Sequence, residues 1–303
     1  WLRKRPFIDI YVVGDGEESF TKIVDAWYET RDINKVKQKE IPGCYSIVND
    51  KLHKTGEFSP RIEDLDKIPS PYLKGYLDKF LEDSRLSPLL ESNRGCPFTC
   101  TFCVDGTDSR SKIYHKSVSR FEQELEYVAT RYKGKMLTIA DLNFGMYARD
   151  IEISAGIARI KEKYDYPHYI QVSAGKNNKP RILECASILK GSMGLAASVQ
   201  SLDKQVLENV KRNNISEQQL LEMTKAGNEM SANTYSEVIL ALPGDSKEKH
   251  FNTVLKLADS AIKIISMYQC MILEGSELGS EISKNYWKMQ TKYRVLPRCF
   301  GAY

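Results

Sequence analysis

Nowhere in the sequence do about 18 apolar residues run together, the length a helix needs to cross a bilayer, so no membrane-spanning helix is expected. The N-terminal residues lack the succession of basic, apolar and small residues that marks a secretory signal. Histidine is scarce: His53, His115, His168 and His250 stand far apart, and none is expected to bind metal. No block of one charge sign appears either. The 44 basic residues face 40 acidic ones for a net charge of +4. The positive residues are spread along the helical segments, so nucleic acid is permitted as a partner but not indicated. A disulfide framework is also missing. The seven cysteines are an odd number; Cys96, Cys100 and Cys103 sit together, while Cys44, Cys185, Cys270 and Cys299 are scattered. That distribution suits a metal site in a reducing, cytoplasmic compartment, with the single cysteines as packing residues.

What is present is a chain of 303 residues, 42% of them hydrophobic, enough for one large domain or for a domain with an attachment. It starts at Trp1 and ends at Cys299-Phe300-Gly301-Ala302-Tyr303 without a finishing element, so it reads as a piece of something longer. Residues 6–14 form an apolar run bounded by Pro6 and Gly14, and residues 19–28 are amphipathic. A buried strand followed by a helix is expected there, making residues 1–28 the remnant of a preceding α/β domain. Between 29 and 87, Pro42, Pro60, Pro69 and Pro71 interrupt any long periodicity, which predicts a linker lying on the next domain.

From residue 88 a regular alternation begins. Apolar runs at 88–92, 136–140, 169–173, 194–199, 235–241 and 267–273 predict six strands. Helical patterns separate them. Phe121, Leu125, Val128 and Tyr132 share one face, with Ser119 and Glu122 placed as a capping box. Ile153, Ile157, Ile160 and Tyr164 repeat the pattern, as do Ile182, Ala186 and Leu189. Further helices are predicted at 203–229 and 246–260. Strands alternating with such helices pair in parallel through right-handed crossovers. The expected fold is therefore α/β, a partial (β/α)6 TIM-like barrel over 88–280, with 281–303 beginning a C-terminal extension. In such barrels chemistry gathers in the loops after the strands, and the first of these, 93–116, is the longest.

That loop contains Arg94-Gly95-Cys96-Pro97-Phe98-Thr99-Cys100-Thr101-Phe102-Cys103. Three thiols so close in sequence can converge on one metal centre, and thiolates suit iron-sulfur or zinc sites. Structural zinc asks for four ligands, and no second Cys or Cys/His pair follows; His115 is the nearest candidate. A cubane held by three cysteines would leave one iron open, the mark of a catalytic site. A fourth ligand such as Cys270 or Cys299 would instead close the site and make a binding or electron-transfer module.

The CxxxCxxC run, with Phe102 just before its last cysteine, resembles the signature of radical S-adenosylmethionine (SAM) enzymes. The resemblance extends to Ala140-Asp141-Leu142-Asn143-Phe144-Gly145, Ser198-Val199-Gln200-Ser201, Glu237-Val238-Ile239-Leu240-Ala241-Leu242-Pro243-Gly244-Asp245 and Met271-Ile272-Leu273-Glu274-Gly275-Ser276-Glu277-Leu278. It implies a barrel of the radical SAM type, in which a 4Fe-4S cluster on Cys96, Cys100 and Cys103 cleaves SAM reductively to a 5'-deoxyadenosyl radical. By the same resemblance Phe102 would contact the adenine, and Asp141, Asn143 and Phe144 would meet the methionine amine. Gln200 and Ser201 would approach the ribose or methionine end, and Ile239 and Ala241 would flank the adenine through backbone groups. The family often has a Gly-Gly-Glu-like tripeptide where Asp141-Leu142-Asn143 stands. Asp141 and Asn143 also suit a turn, Ser201 a helix entry, and Leu242-Pro243-Gly244-Asp245 a strand-ending turn.

Val12-Val13-Gly14-Asp15-Gly16-Glu17-Glu18-Ser19-Phe20 resembles the last strand and helix of the cobalamin-binding domain found in one subgroup, with Asp15 where Glu is usual. Leu65-Asp66-Lys67-Ile68-Pro69-Ser70-Pro71-Tyr72 resembles that subgroup's connecting segment. This implies a cobalamin-dependent methyltransferase, with cobalamin bound only by the full-length protein and an electron donor such as a flavodoxin or ferredoxin. A methylthiotransferase acting on RNA shares the barrel; it would need further domains before and after it. The substrate, a small molecule or a peptide, is not legible.

Overall fold

A computed structural model describes residues 2–55, 58–175, 177–230 and 232–292. The chain divides into two units, residues 1–69 and 70–303.

In the first unit, β1 (Ile10–Val12) leads into α1 (Glu17–Thr30) and the short α2 (Ile33–Val36). The strand expected over residues 6–14 is thus only three residues long, and it is half-buried rather than buried, with Tyr11 exposed. It pairs antiparallel with β2 (Cys44–Val48), which turns back on β3 (Lys51–Lys54). The two-residue turn, Asn49-Asp50, has both residues at positive φ (47° and 60°), the left-handed pair a tight hairpin needs. A hairpin therefore stands where a linker was expected. Residues 29–69 belong to this first unit, and only residues 70–87 of the expected linker fold with the barrel.

In the second unit, Tyr72 pins residues 70–81, including α3 (Asp78–Leu81), to the first barrel strand. Its hydroxyl donates to the Leu89 carbonyl at 3.1 Å and accepts from the Leu89 N–H at 3.0 Å. That strand, β4 (Leu89–Leu90), is followed by a short ribbon of β5 (Asn93–Arg94) against β6 (Tyr114–His115), then α4 (Val118–Ala129) and β7 (Met136–Phe144). Next come α5 (Arg149–Tyr164), β8 (Tyr169–Ala174), α6 (Lys179–Ile188), β9 (Leu195–Ala196), α7 (Lys204–Asn209) and α8 (Glu217–Glu229). The series ends with β10 (Thr234–Leu240), α9 (Lys247–Asp259), β11 (Ile264–Gln269) and α10 (Glu281–Tyr286).

β4, β7 and β8 pair in parallel, as do β9, β10 and β11, and a parallel bridge between Ile170 and Met193 joins the two groups. Spatial order equals sequence order, as βα crossovers dictate. Among the described residues no pairing returns from β11 to β4, so the six strands make an open, partial barrel. No helix among them is long and apolar enough to cross a membrane.

The predicted helix faces carry the packing. Phe121, Leu125 and Val128 of α4, Ile153 and Ile157 of α5, and Ile182 and Ala186 of α6 are buried together against Leu137 and Ile139 of β7. Two details differ from the sequence expectation. The cap of α4 is Ser117, whose hydroxyl accepts the Arg120 N–H at 3.1 Å, rather than Ser119. The helix expected over 203–229 is two helices, because Asp203 caps α7 and Ser216 with Gln219 forms a reciprocal capping box that restarts the chain as α8. Phe121→Ala should cost about 3–5 kcal/mol, the usual penalty for emptying a buried aromatic site. Urea unfolding followed by circular dichroism reads this, and a loss under about 1 kcal/mol would contradict this packing.

Candidate functional site

The register of β7 on β8 slips between Ile139 and Phe144, and in this irregular end Asp141 and Asn143 turn their side chains into the protein, each 1% exposed. Asp141 ties down the start of the cysteine loop. Its Oδ1 accepts the backbone N–H groups of Ser92 (2.8 Å) and Asn93 (3.1 Å); its Oδ2 accepts the Asn93 amide at 2.7 Å and the Ser92 hydroxyl. Burial lifts the Asp141 pKa to about 6 while these donors pull it down, favouring the carboxylate. Hydrogen bonds to a charged group contribute about 1.5–3 kcal/mol each.

Arg149, the first residue of α5, closes the loop from the other side. Its guanidinium donates to the Ser92 carbonyl at 3.1 Å and to the Lys116 carbonyl, while the Lys116 N–H donates to the Ser92 carbonyl at 2.9 Å. Glu124 of α4, also buried, accepts from Lys116 (2.8 Å) and Arg120 (3.1 Å). The two ends of the loop are thereby fixed beside each other.

Two glycines let the loop fold tightly on itself. Gly95 has φ +116°, and a Cβ there would press on the Lys112 and Arg110 carbonyls; a Cβ on Gly106 would run into the Cys100 carbonyl. The Cys96 N–H donates to Arg110 (2.9 Å) and the Cys103 N–H to Cys100 (3.1 Å). The Thr101 N–H donates to Val210 beyond α7 (3.1 Å), and its carbonyl accepts from Leu278 beyond β11 (2.7 Å).

Cys96 and Cys100 are buried and Cys103 is half-buried. The Asn143 amide donates to the Cys96 sulfur at 3.4 Å, and the Arg212 guanidinium lies 3.9 Å from the Cys100 sulfur. Each of these two sulfurs thus faces a side-chain donor. Among the described residues no three His, Cys, Asp or Glu side chains gather as closely as one ion requires. A cubane takes one thiolate per iron and so spreads its ligands apart. Cys270, the suggested fourth ligand, is packed on the apolar cluster of Val206, Val210 and Leu242; Cys299 lies outside the described residues.

Beside the loop is a cavity of about 260 Å³, lined among others by Phe102, Cys103, Lys179, Gln200, Arg212 and Glu237. Gln200 is buried with φ +62°, a conformation uncommon for residues other than glycine. Its backbone is held by the Glu237 carbonyl (2.8 Å) and the Ile239 N–H (2.9 Å). Its Oε1 is buried and unpaired among the described residues, as is Asn143 Oδ1. Three thiols with donors at two of them, and unpaired acceptors nearby, fit a cluster together with a polar cofactor.

The other residues named by the resemblance make contacts within the protein. Asp141 is spent on Ser92 and Asn93. Phe144 is buried in the hydrophobic core, where the end of β7 turns it inward. The Ser201 hydroxyl accepts the Asp203 N–H at 3.1 Å, the helix-entry role. Ile239 packs on Val206 and Leu242, its N–H taken by Gln200, and the Ala241 N–H donates to Asp245 at 3.3 Å. None of these five lines the cavity. Arg212 and Lys179 were missed by reading the sequence. Arg212 stands in the break between α7 and α8, whose signal was the Ser216…Gln219 capping spacing; Lys179 had no signal of its own.

Residues 90–258 match the family described as the Radical SAM superfamily. The chain belongs to this superfamily. It is 28% identical, over 92% of its length and 42% of the relative's, to the cobalamin-dependent radical SAM methyltransferase TokK of Streptomyces tokunonensis. It is 30% identical, with the same coverages, to the 2-(S-pantetheinyl)-carbapenam-3-carboxylate methyltransferase of Streptantibioticus cattleyicolor. Among solved structures, the radical SAM methyltransferase TsrM of Kitasatospora setae shares the fold, with a TM-score of 0.71 at 15% identity over 92% of this chain and 54% of that one. The chain spans less than half the length of these two curated relatives.

If Asp141 roots the radical SAM loop, Asp141→Ala should keep the helical circular dichroism of the barrel yet hold less than half the wild-type iron and sulfide after anaerobic reconstitution. Wild-type iron content in this variant would contradict that role.

Proposed function

We propose that the intact protein is a cobalamin-dependent radical SAM methyltransferase that acts on a small molecule. The observation that carries this is the cysteine loop, clamped at the strand ends of the barrel with Cys103 facing the cavity. The two curated relatives, both named as methyltransferases, support it. In this reading Cys96, Cys100 and Cys103 hold a 4Fe-4S cluster. When bound, the cluster and SAM supply an electron and a sulfonium whose cleavage gives a radical able to abstract hydrogen.

The chain's own residues do the rest. Asp141 and Arg149 hold the loop, and Asn143 and Arg212 aim donors at the Cys96 and Cys100 sulfurs. The Arg212 guanidinium is buried and steadied by the Ser198 carbonyl and by Asn214 at 2.9 Å, so it can receive the methionine carboxylate of SAM. Gln200 Oε1 offers an acceptor to a hydroxyl or ammonium group, and Phe102 gives an apolar wall. The walls exclude bulk water from the reacting groups. Residues 1–69 would be the end of a cobalamin-binding part, and reduction would come from a flavodoxin- or ferredoxin-like donor.

The reconstituted chain, given dithionite and SAM, should release 5'-deoxyadenosine, measured by liquid chromatography, and Cys103→Ala should reduce it to background. Equal release from Cys103→Ala, or none from a wild-type chain carrying its full iron, would contradict the reading.

A further inference from the structure

The wall of the cavity formed by the end of β8 and the start of α6 holds a cation that the proposed chemistry leaves unused. Lys179 is 8% exposed and lines the cavity. Its ammonium makes one hydrogen bond, to the Gly175 carbonyl at 3.2 Å, leaving two of its three donors. Among the described residues no carboxylate lies within ion-pair distance of it. A buried charge is costly without a partner, and burial, followed by the nearby Arg212 charge, lowers the Lys179 pKa to about 8.

The groups around it are accounted for. Of the described titratable residues lining the cavity, Arg212 is a second cation, beside the Cys100 sulfur, and Glu237 is the only carboxylate. The Tyr235 hydroxyl is turned to the Val172 carbonyl at 3.5 Å. Cys103 belongs to the cluster loop. The remaining wall beside Lys179 is small, Ser173, Ala174 and Gly175, so a ligand can reach the ammonium.

We propose that Lys179 anchors the carboxylate of the substrate, so that the substrate class is a small organic acid seated beside the cofactor. This rests on the proposed function, in which Arg212 takes the carboxylate of SAM and leaves Lys179 to the substrate. Two cations then meet two carboxylates.

The test is trace acetylation of the wild-type chain with acetic anhydride across pH 7–10, read lysine by lysine by mass spectrometry. It is run with sodium propionate or with sodium chloride at equal ionic strength, each with and without SAM on the reconstituted protein. In chloride Lys179 should titrate near pH 8. Propionate should raise its midpoint by about one unit, a tenfold loss of reactivity below the midpoint, both with and without SAM. A midpoint indifferent to propionate overturns the proposal. So does a midpoint that SAM alone raises, with no further effect of propionate, because Lys179 would then serve the cofactor's carboxylate. Neither result depends on whether SAM is cleaved, so failure here is distinct from failure of the methyltransferase reading.

Discussion

The site depends on one buried carboxylate. Asp141 gathers four donors from two consecutive residues, Ser92 and Asn93, and so welds the first strand end to the second at the point where the cysteine loop departs. Everything downstream needs that weld: the ribbon of β5 and β6, the Arg149 bridge to the Lys116 carbonyl, and the tight turns at Gly95 and Gly106. Burial opposes the charge and the donors sustain it, the balance by which a buried ion can hold structure in place. A loop held at its roots, and at Thr101 by Val210 and Leu278, can present three thiols in a fixed arrangement.

The cavity behind the loop carries positive charge where a neutral lining would be easier to bury. Arg212 is held by the Ser198 carbonyl, Asn214 and the Cys100 sulfur, and it comes from the break between α7 and α8 rather than from a strand end. The broken helix is thus part of the site. The capping box at Ser216 restarts the chain only after the guanidinium has been delivered under the loop.

Much of the barrel was legible because its signals are local. Alternating apolar runs and helical faces such as Phe121, Leu125 and Val128 follow from backbone period alone, and the cysteine spacing is a motif in one loop. What was not legible lies where tertiary context decides. Asp141 and Phe144 belong to a stretch resembling a cofactor-binding one, and the slipped register of β7 turns the first to Ser92 and the second into the core. The hairpin of β2 and β3 was hidden among charged residues, although Asn49-Asp50 was its turn signal. Lys179 could not be found from sequence, since nothing near it in the chain shows that it will be buried beside Arg212.

The measurement that tests the account most directly is the electron paramagnetic resonance spectrum of the reduced, reconstituted chain before and after adding SAM. If Cys96, Cys100 and Cys103 alone hold the cluster, one iron is open, and the spectrum should change when SAM binds there. An intact cluster whose spectrum ignores SAM would mean a fourth protein ligand and a closed site, and would contradict the catalytic reading of the cysteine loop.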